Sequence, residues 1–448
     1  MKNNKYEIDM CNGTIMDKLI SFAFPLMLSG ILQLMFNAVD IIVVGRFSGS
    51  QALAAVGSTT ALINVFVNLF IGISLGANVL AARFYAAGRE EEMSQTVHTA
   101  ITLALISGVV MAFVGVLFAK GALELMGTPD DVISQSTLYM RIYFMGMPFF
   151  MLYNYGAAIL RAVGDTKRPL FFLIISGCIN AGLNLILVIG FHLDVAGVAI
   201  ATIISQCVSC ILVLRCLCRT QGSYQLHFSK LSINGAYLKQ IFQVGIPAGI
   251  QSTVINFSNA LLQSSVNSFG ATAMAGYTAA NNLLGFLYVS VNSITQACMS
   301  FTSQNYGVRK FKRMDKVLLE CLGLTVIVAL VLGGGSYLFG AELMHIYTKS
   351  TKVIECGVDI MLYTTVTYFL CGIMDLLPGA LRGMGHSTVP MILSVIGTVG
   401  TRIVWIYVIF PCHRSLDFLF ISYPVSWLLT IVMQVICFYF VRKKVHNS

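Results

Sequence analysis

Charge is what this chain has least of. Asp, Glu, Lys and Arg make up 10% of its 448 residues, against about 25% in soluble domains. That poverty excludes an ordinary soluble globule. Tryptophan is limited to two residues and proline to nine, so apolar stretches run long without interruption. No G-x-x-x-x-G-K-[ST] phosphate loop and no H-E-x-x-H pair occurs. The first absence removes ATP hydrolysis by this chain as an energy source, and the second removes a zinc-protease type of site. No period-two alternation over about ten residues marks a membrane strand. Most of the twelve cysteines lie within apolar stretches. There Cys207-x-x-Cys210 reads as small apolar packing rather than redox or metal chemistry.

Hydrophobic residues account for 57% of the chain. A spanning helix needs about 20 mainly apolar residues, and runs of that length fall at 18–44, 52–78, 94–119, 134–160, 168–190, 195–217, 239–268, 274–304, 317–340, 356–381, 389–411 and 416–441. Backbone polar groups cannot stay unpaired in hydrocarbon, so these runs are expected to be helices. Leu160-Arg161-x-x-Gly164-x-x-x-x-Pro169 returns as Leu381-Arg382-x-x-Gly385-x-x-x-x-Pro390, displaced by 221 residues. The same offset carries Ala52 onto Ala273, Tyr85 onto Tyr306, Met93 onto Met314 and Ser205 onto Ser426. The chain therefore reads as two copies of one six-span unit. An even span count gives both copies the same orientation, related by a pseudo-twofold axis along the membrane normal. The expected fold is an all-α polytopic membrane protein with twelve transmembrane helices in two such six-helix lobes. The lobes are placed at 1–218 and 239–448, with a polar cytoplasmic linker at 219–238.

The net charge of +9 does not point to nucleic acid, because its distribution follows topology. With a cytoplasmic N-terminus, the outer loops hold only Arg46, Lys120, Lys349, Lys352 and Arg414, and Arg141 and Arg402 fall within spans. The other basic residues, from Lys2 and Lys5 to Lys443 and Lys444, are all on the inner side. This bias predicts cytoplasmic termini in a multi-pass, monomeric protein of the cell membrane, with membrane lipid around it. The first 17 residues are polar and the first apolar run is a full span, so no cleavable signal is expected.

Ionisable residues inside a bilayer cost about 2.5–3.5 kcal/mol each on insertion scales and are functional candidates by default. Only Asp40, Arg141, Asp375 and Arg402 qualify. Counting about 1.5 Å per residue from the loops places Asp40 in the outer half of span 1, with Asn37 one turn deeper. Asn180 and Asn184 of span 5 and Thr202 of span 6 fall at a similar level. One carboxylate among neutral oxygens suits a monovalent cation or an exchangeable proton. The alternatives are a structural pairing of Asp40 with Arg46, and use of Asn180 and Asn184 as interhelical hydrogen-bond glue. Arg402 needs a partner: Asp375 lies about 10 Å away in depth by the same rise, which makes that pair marginal, and backbone carbonyls are an equal alternative. Arg141 is expected to snorkel outward.

With these residues in view the chain resembles the multidrug and toxic compound extrusion (MATE) family, most closely its bacterial DinF/MepA-like branch. The resemblance rests on Pro25, Asn37-Ala38-Val39-Asp40 and Gly45 in span 1, Ala52-Leu53-Ala54-Ala55-Val56-Gly57 entering span 2, and Gly76-Ala77-Asn78. It continues through the paired Leu-Arg-x-x-Gly segments, Asn180, and Ala199-x-Ala201-Thr202. It implies two lobes around a V-shaped cleft and antiport of organic cations against Na⁺ or H⁺, with no cofactor. It also implies an ion-coupling set of Asp40, Asn37, Asn180, Asn184 and Thr202. Many members carry a second aspartate where this chain has Asn184, which leans the coupling ion toward H⁺. The family's acidic C-lobe site is not carried over, since span 7 offers Asn256, Asn259 and Gln263 but no acid. A cleft lining is sketched by Gln33, Met35, Phe36, Tyr153, Gln206, Asn256, Asn259, Tyr277 and Asn281, since Met and aromatic faces suit bulky cations. Pro25, lacking an N–H, is the expected hinge of span 1. The expected function is therefore a secondary antiporter, not an enzyme, that exports amphipathic, cationic compounds. The competing function is a flippase for lipid-linked oligosaccharide or polyprenyl intermediates. That activity needs basic cavity residues, and only Arg141 and Arg402 are available within spans.

Overall fold

A computed structural model describes residues 6–446. Lys2 and Lys5, counted above among the inner basic residues, lie outside that range. No strand occurs among the described residues. The first half runs through α1 (Met16–Val43), α2 (Gly49–Ala86), α3 (Glu90–Leu125), α4 (Asp130–Met145), α5 (Met147–Ala162), α6 (Lys167–Asn184) and α7 (Asp194–Arg219). The second runs through α8 (Gly235–Asn267), α9 (Ala271–Gly307), α10 (Phe311–Leu338), α11 (Gly340–His345), α12 (Thr351–Thr364), α13 (Tyr368–Gly383), α14 (Thr388–Ser394), α15 (Thr401–Val404), α16 (Leu416–Phe420) and α17 (Ser422–His446). Seven continuous helical stretches are long and apolar enough to cross a membrane, and α12 with α13 forms a further one bent by 43°. With the broken pairs α4–α5, α12–α13 and α16–α17 each taken as one crossing, the described residues give twelve helical crossings, six per half.

Local chemistry accounts for the breaks. Span 4 parts at Gly146, and Pro148 follows in the first turn of α5, where a missing N–H costs nothing. The repeat extends to the backbone. Gly164 and Gly385, 221 residues apart, both take φ near +90° (93° and 88°) just after α5 and α13. Gly88 at φ 67° is matched by Arg309 at φ 58°, so the second copy holds the same left-handed turn without glycine. Four π-helical turns interrupt the helices at Val44–Ser48, Leu185–Gly190, Val395–Gly400 and Trp405–Ile409.

The chain divides into two compact units, but not at the polar linker. One comprises Met1–Asp9 with Leu28–Ile246, the other Met10–Met27 with Pro247–Ser448. The expected lobe boundaries at 218 and 239 follow the repeat, while these compact units change over at Leu28 and Pro247. α1 changes unit two residues after Pro25, and α8 does so at Pro247. The stretch 219–238 belongs to the first unit and is fastened there. Tyr224 is buried, the His227 N–H donates to His98 Nε2 (3.1 Å), and the Asn234 N–H donates to Thr99 Oγ1 (3.1 Å).

Each unit has its own core. Met93, Phe144, Met147 and Tyr155 anchor the first, and Met344, Tyr277, Phe420 and Trp427 the second. In lipid, helix association rests on close van der Waals packing rather than on expulsion of water, which favours small residues at contacts. Gly108 illustrates this: a Cβ there would stand 2.5 Å from the Pro148 Cα.

The N-terminal segment is held on both units. In the first, the Glu7 carboxylate accepts from the Tyr85 and Tyr224 hydroxyls at 2.7 and 2.6 Å. In the second, Arg313 donates to the carbonyls of Met10, Asn12 and Gly13 (3.2, 3.0 and 2.9 Å), and Lys310 donates to Cys11 O and Asn12 Oδ1 (2.9 and 2.7 Å).

Candidate functional site

In the first unit α1 and α6 bring three polar side chains together. Asn180 and Asn184 are four residues apart, so they share a helix face. Asn184 Nδ2 donates both to the Asp40 carboxylate and to Asn180 Oδ1, the latter at 3.2 Å. Asn184 is completely buried, Asn180 is buried and Asp40 is half-buried. The approach of α1 to α6 depends on Gly177, one turn before Asn180. A Cβ at that position would lie 1.8 Å from the Phe36 ring, which sits one turn before Asp40. A π-helical turn follows each partner, Val44–Ser48 after Asp40 and Leu185–Gly190 directly after Asn184. Such turns widen a helix locally and recur at functional sites.

Asn184 Oδ1 is buried and has no hydrogen-bond partner among the described residues. An unpaired buried acceptor is costly unless something else uses it. Beside a carboxylate it can do one of two things. It can contribute an oxygen to a monovalent cation. Alternatively, a half-turn of the amide lets it accept from a protonated Asp40, while Nδ2 serves the ionised form. The trio is thus built to tolerate both states of one acid.

Other predicted members lie differently. The Thr202 hydroxyl donates to the Val198 carbonyl at 2.9 Å, along its own helix, and so is not turned to Asp40. Asn37 is exposed and no hydrogen bond joins it to Asp40. Arg46 is exposed and forms no ion pair with Asp40. Tyr139 and Tyr143 of α4 escaped the sequence analysis, yet both are within electrostatic reach of Asp40. Their rings are near-parallel at 6.2 Å. Their i, i+4 spacing in span 4 was the available signal.

Of the residues sketched as cleft lining, Gln33, Met35, Asn256 and Asn281 are exposed, and Phe36 and Gln206 are half-buried. Tyr153 and Tyr277 lie differently. Both are buried, Tyr153 donating to the Pro169 carbonyl (3.2 Å) and Tyr277 paired with the Tyr423 hydroxyl (3.3 Å). Helix packing takes up both rings, so neither offers a face to a ligand. Pro25 lies inside α1. Arg141 is exposed and donates to the Val116 carbonyl at 3.1 Å. Arg402 is not paired with Asp375. It is 2% exposed, donates from Nη1 to Asn259 Oδ1 (2.7 Å) and from Nε to Ser426 Oγ (3.3 Å), and lies 4.4 Å over the Tyr423 ring.

Comparison with known proteins adds the family. The MatE family model matches residues 25–186 and again 247–408. "Probable multidrug resistance protein YoeA" of Bacillus subtilis (strain 168) is 30% identical over 434 residues, covering 94% of this chain and 93% of that protein. "Multidrug export protein MepA" of Staphylococcus aureus (strain bovine RF122 / ET3-1) is 21% identical over 415 residues, covering 92% and 90%. A crystal structure described as MATE in complex with MaL6 superimposes with a TM-score of 0.92 at 20% identity, over all of both chains. The matched segments begin at Pro25 and Pro247, each within the helix that changes unit, and together they cover well over half of the sequence. The chain therefore belongs to the MatE family of multidrug and toxic compound extrusion transporters.

Proposed function

We propose that this protein is a secondary antiporter of the cell membrane, with both termini cytoplasmic. It exports amphipathic, cationic organic compounds in exchange for protons entering from outside. The observation that carries this reading is the Asp40–Asn184–Asn180 trio, with its unpartnered Asn184 oxygen. Support for the cargo comes from the multidrug export named for the S. aureus relative and the multidrug resistance named for the B. subtilis one. Asp40 is the coupling residue, Asn184 and Asn180 hold it, and Pro25 is the hinge about which the outer part of α1 moves as Asp40 changes charge. With an asparagine at 184 there is one acid in the trio, so one positive charge is exchanged per cycle.

The test is dye efflux from vesicles in which a pH gradient and a Na⁺ gradient are imposed separately. Efflux is expected with the pH gradient alone. Efflux that follows only the Na⁺ gradient reassigns the coupling ion, and efflux that follows neither refutes the antiport.

A further inference from the structure

The second lobe carries a buried charged cluster around Arg402, at the repeat position of Asn180. The family match begins at Pro25 and Pro247 and ends at 186 and 408, an offset of 222 (247 − 25 and 408 − 186). Other landmarks of the repeat keep 221. The difference of one residue has a physical source. In α1 the π-helical turn Val44–Ser48 takes up one extra residue that α8 lacks. Before α15 the turn Val395–Gly400 takes up one that α6 lacks. In register, Asn37 corresponds to Asn259 and Asn180 to Arg402 (offset 222), and Thr202 to Tyr423 and Ser205 to Ser426 (offset 221). Asp40 corresponds to Leu262, which is fully buried.

The groups that hold the Arg402 guanidinium are Asn259 Oδ1, Ser426 Oγ and the Tyr423 face, at the repeat positions of Asn37, Ser205 and Thr202, whereas Asn184, the donor to Asp40, has Ile406 as its counterpart. No ion pair to Arg402 occurs among the described residues. Its hydrogen-bond and ring partners, Asn259, Ser426 and Tyr423, are all neutral. A buried cation without an acid is costly, and neutral oxygens with a π face are a cation's solvation shell rather than its counter-charge.

We propose that the second lobe holds a cation pocket, formed by Asn259, Ser426 and Tyr423, which the chain fills with its own Arg402 guanidinium. The pocket takes a small organic cation, and it is permanently loaded because that cation is tethered. The second lobe then needs no ion from solution. The pocket stands on this lobe's geometry alone. Only the corollary, that exchange is confined to one charge in the first lobe, rests on the proposed antiport.

The experiment uses the full-length protein in detergent and in vesicles, with guanidinium at millimolar concentration as the probe. Arg402→Ala should melt several degrees below wild type and recover saturably with guanidinium, while wild type and Asp40→Asn stay unresponsive. In vesicles the same variant should lose about tenfold in efflux, the worth of one charge-assisted hydrogen bond, and regain it with guanidinium. Arg402→Met fills the space without charge and should stay impaired with or without the probe; Arg402→Lys should keep most of the stability. Wild-type melting of Arg402→Met, or an Arg402→Ala protein blind to guanidinium, overturns the proposal. If neither neutral variant inserts while Arg402→Lys does, the charge is needed and the proposal stands; if Arg402→Lys fails with them, it falls. Because melting is read without any gradient, failure of the antiport reading leaves this result legible.

Discussion

The trio at Asp40 and the cluster at Arg402 share one repeat position, Asn180 in the first lobe and Arg402 in the second, and carry opposite charge. In the first lobe an acid is held by two amides, one of which keeps a buried oxygen unpartnered. In the second a base is held by an amide, a hydroxyl and a ring. The backbone around them repeats down to its left-handed turns. Four side chains differ: Leu262 stands where the first copy has Asp40, Arg402 where it has Asn180, Ile406 where it has Asn184 and Tyr423 where it has Thr202. A duplicated scaffold therefore fixes where a buried charge can sit and leaves its sign to substitution. A charge that can leave makes a switch, and a charge on a tether makes a fixture.

The comparison can be broken first at its exchangeable end. Asp40→Asn should abolish gradient-driven efflux while leaving insertion and melting near wild type; vesicle efflux at the wild-type rate would sink the coupling role. Gly177→Ala should come next, since its methyl group collides with the Phe36 ring. Overpacking of this kind costs about 1–3 kcal/mol, to be read as a lower melting temperature together with impaired efflux. A variant with unchanged melting would show that the α1–α6 contact is looser than described. Asn184→Ala removes the donor to Asp40 and should slow efflux about tenfold, as expected for losing one hydrogen bond to a charged group; an unchanged rate would leave Asp40 acting alone. Leu262→Asp combined with Arg402→Asn and Ile406→Asn rebuilds the acid-and-amide arrangement in the second lobe. It should raise the charge moved per substrate about twofold, one exchangeable acid becoming two, measured as a shift in reversal potential; an unshifted potential means that the second position cannot exchange. Asp375→Asn should do least, because Asp375 belongs to neither cluster. Loss of coupled transport in that variant would require a third charged site.

Much of this was legible in the sequence. Paired Leu-Arg-x-x-Gly segments gave two six-span copies, and the rarity of intramembrane acids singled out Asp40. The i, i+4 spacing of Asn180 and Asn184 put both amides on one face, where α6 presents them. What sequence could not supply was side-chain direction. Thr202 falls at a suitable depth, yet its hydroxyl turns back along its own helix, a rotamer choice no spacing reveals. Tyr139 and Tyr143 were lost among the many aromatics of apolar spans. Composition marks the polar stretch at 219–238, whereas the compact units divide within α1 and α8, where composition does not change. A rigid offset of 221 also concealed the relation between the two sites. It pairs Asn37 with Ser258 and Asn180 with Thr401, and so reports a mismatch where the halves agree.

The clasp on the N-terminal segment has a practical side. Glu7 bridges two tyrosines, and residues 10–13 supply four carbonyls and one side-chain oxygen to Lys310 and Arg313. An affinity tag spliced in place of the first thirteen residues strips both sets of bonds at once and removes these acceptors from Lys310 and Arg313. Poor yield from such a fusion would then reflect a damaged closure of the fold rather than a toxic transporter, and the same tag placed after the last helix should restore it.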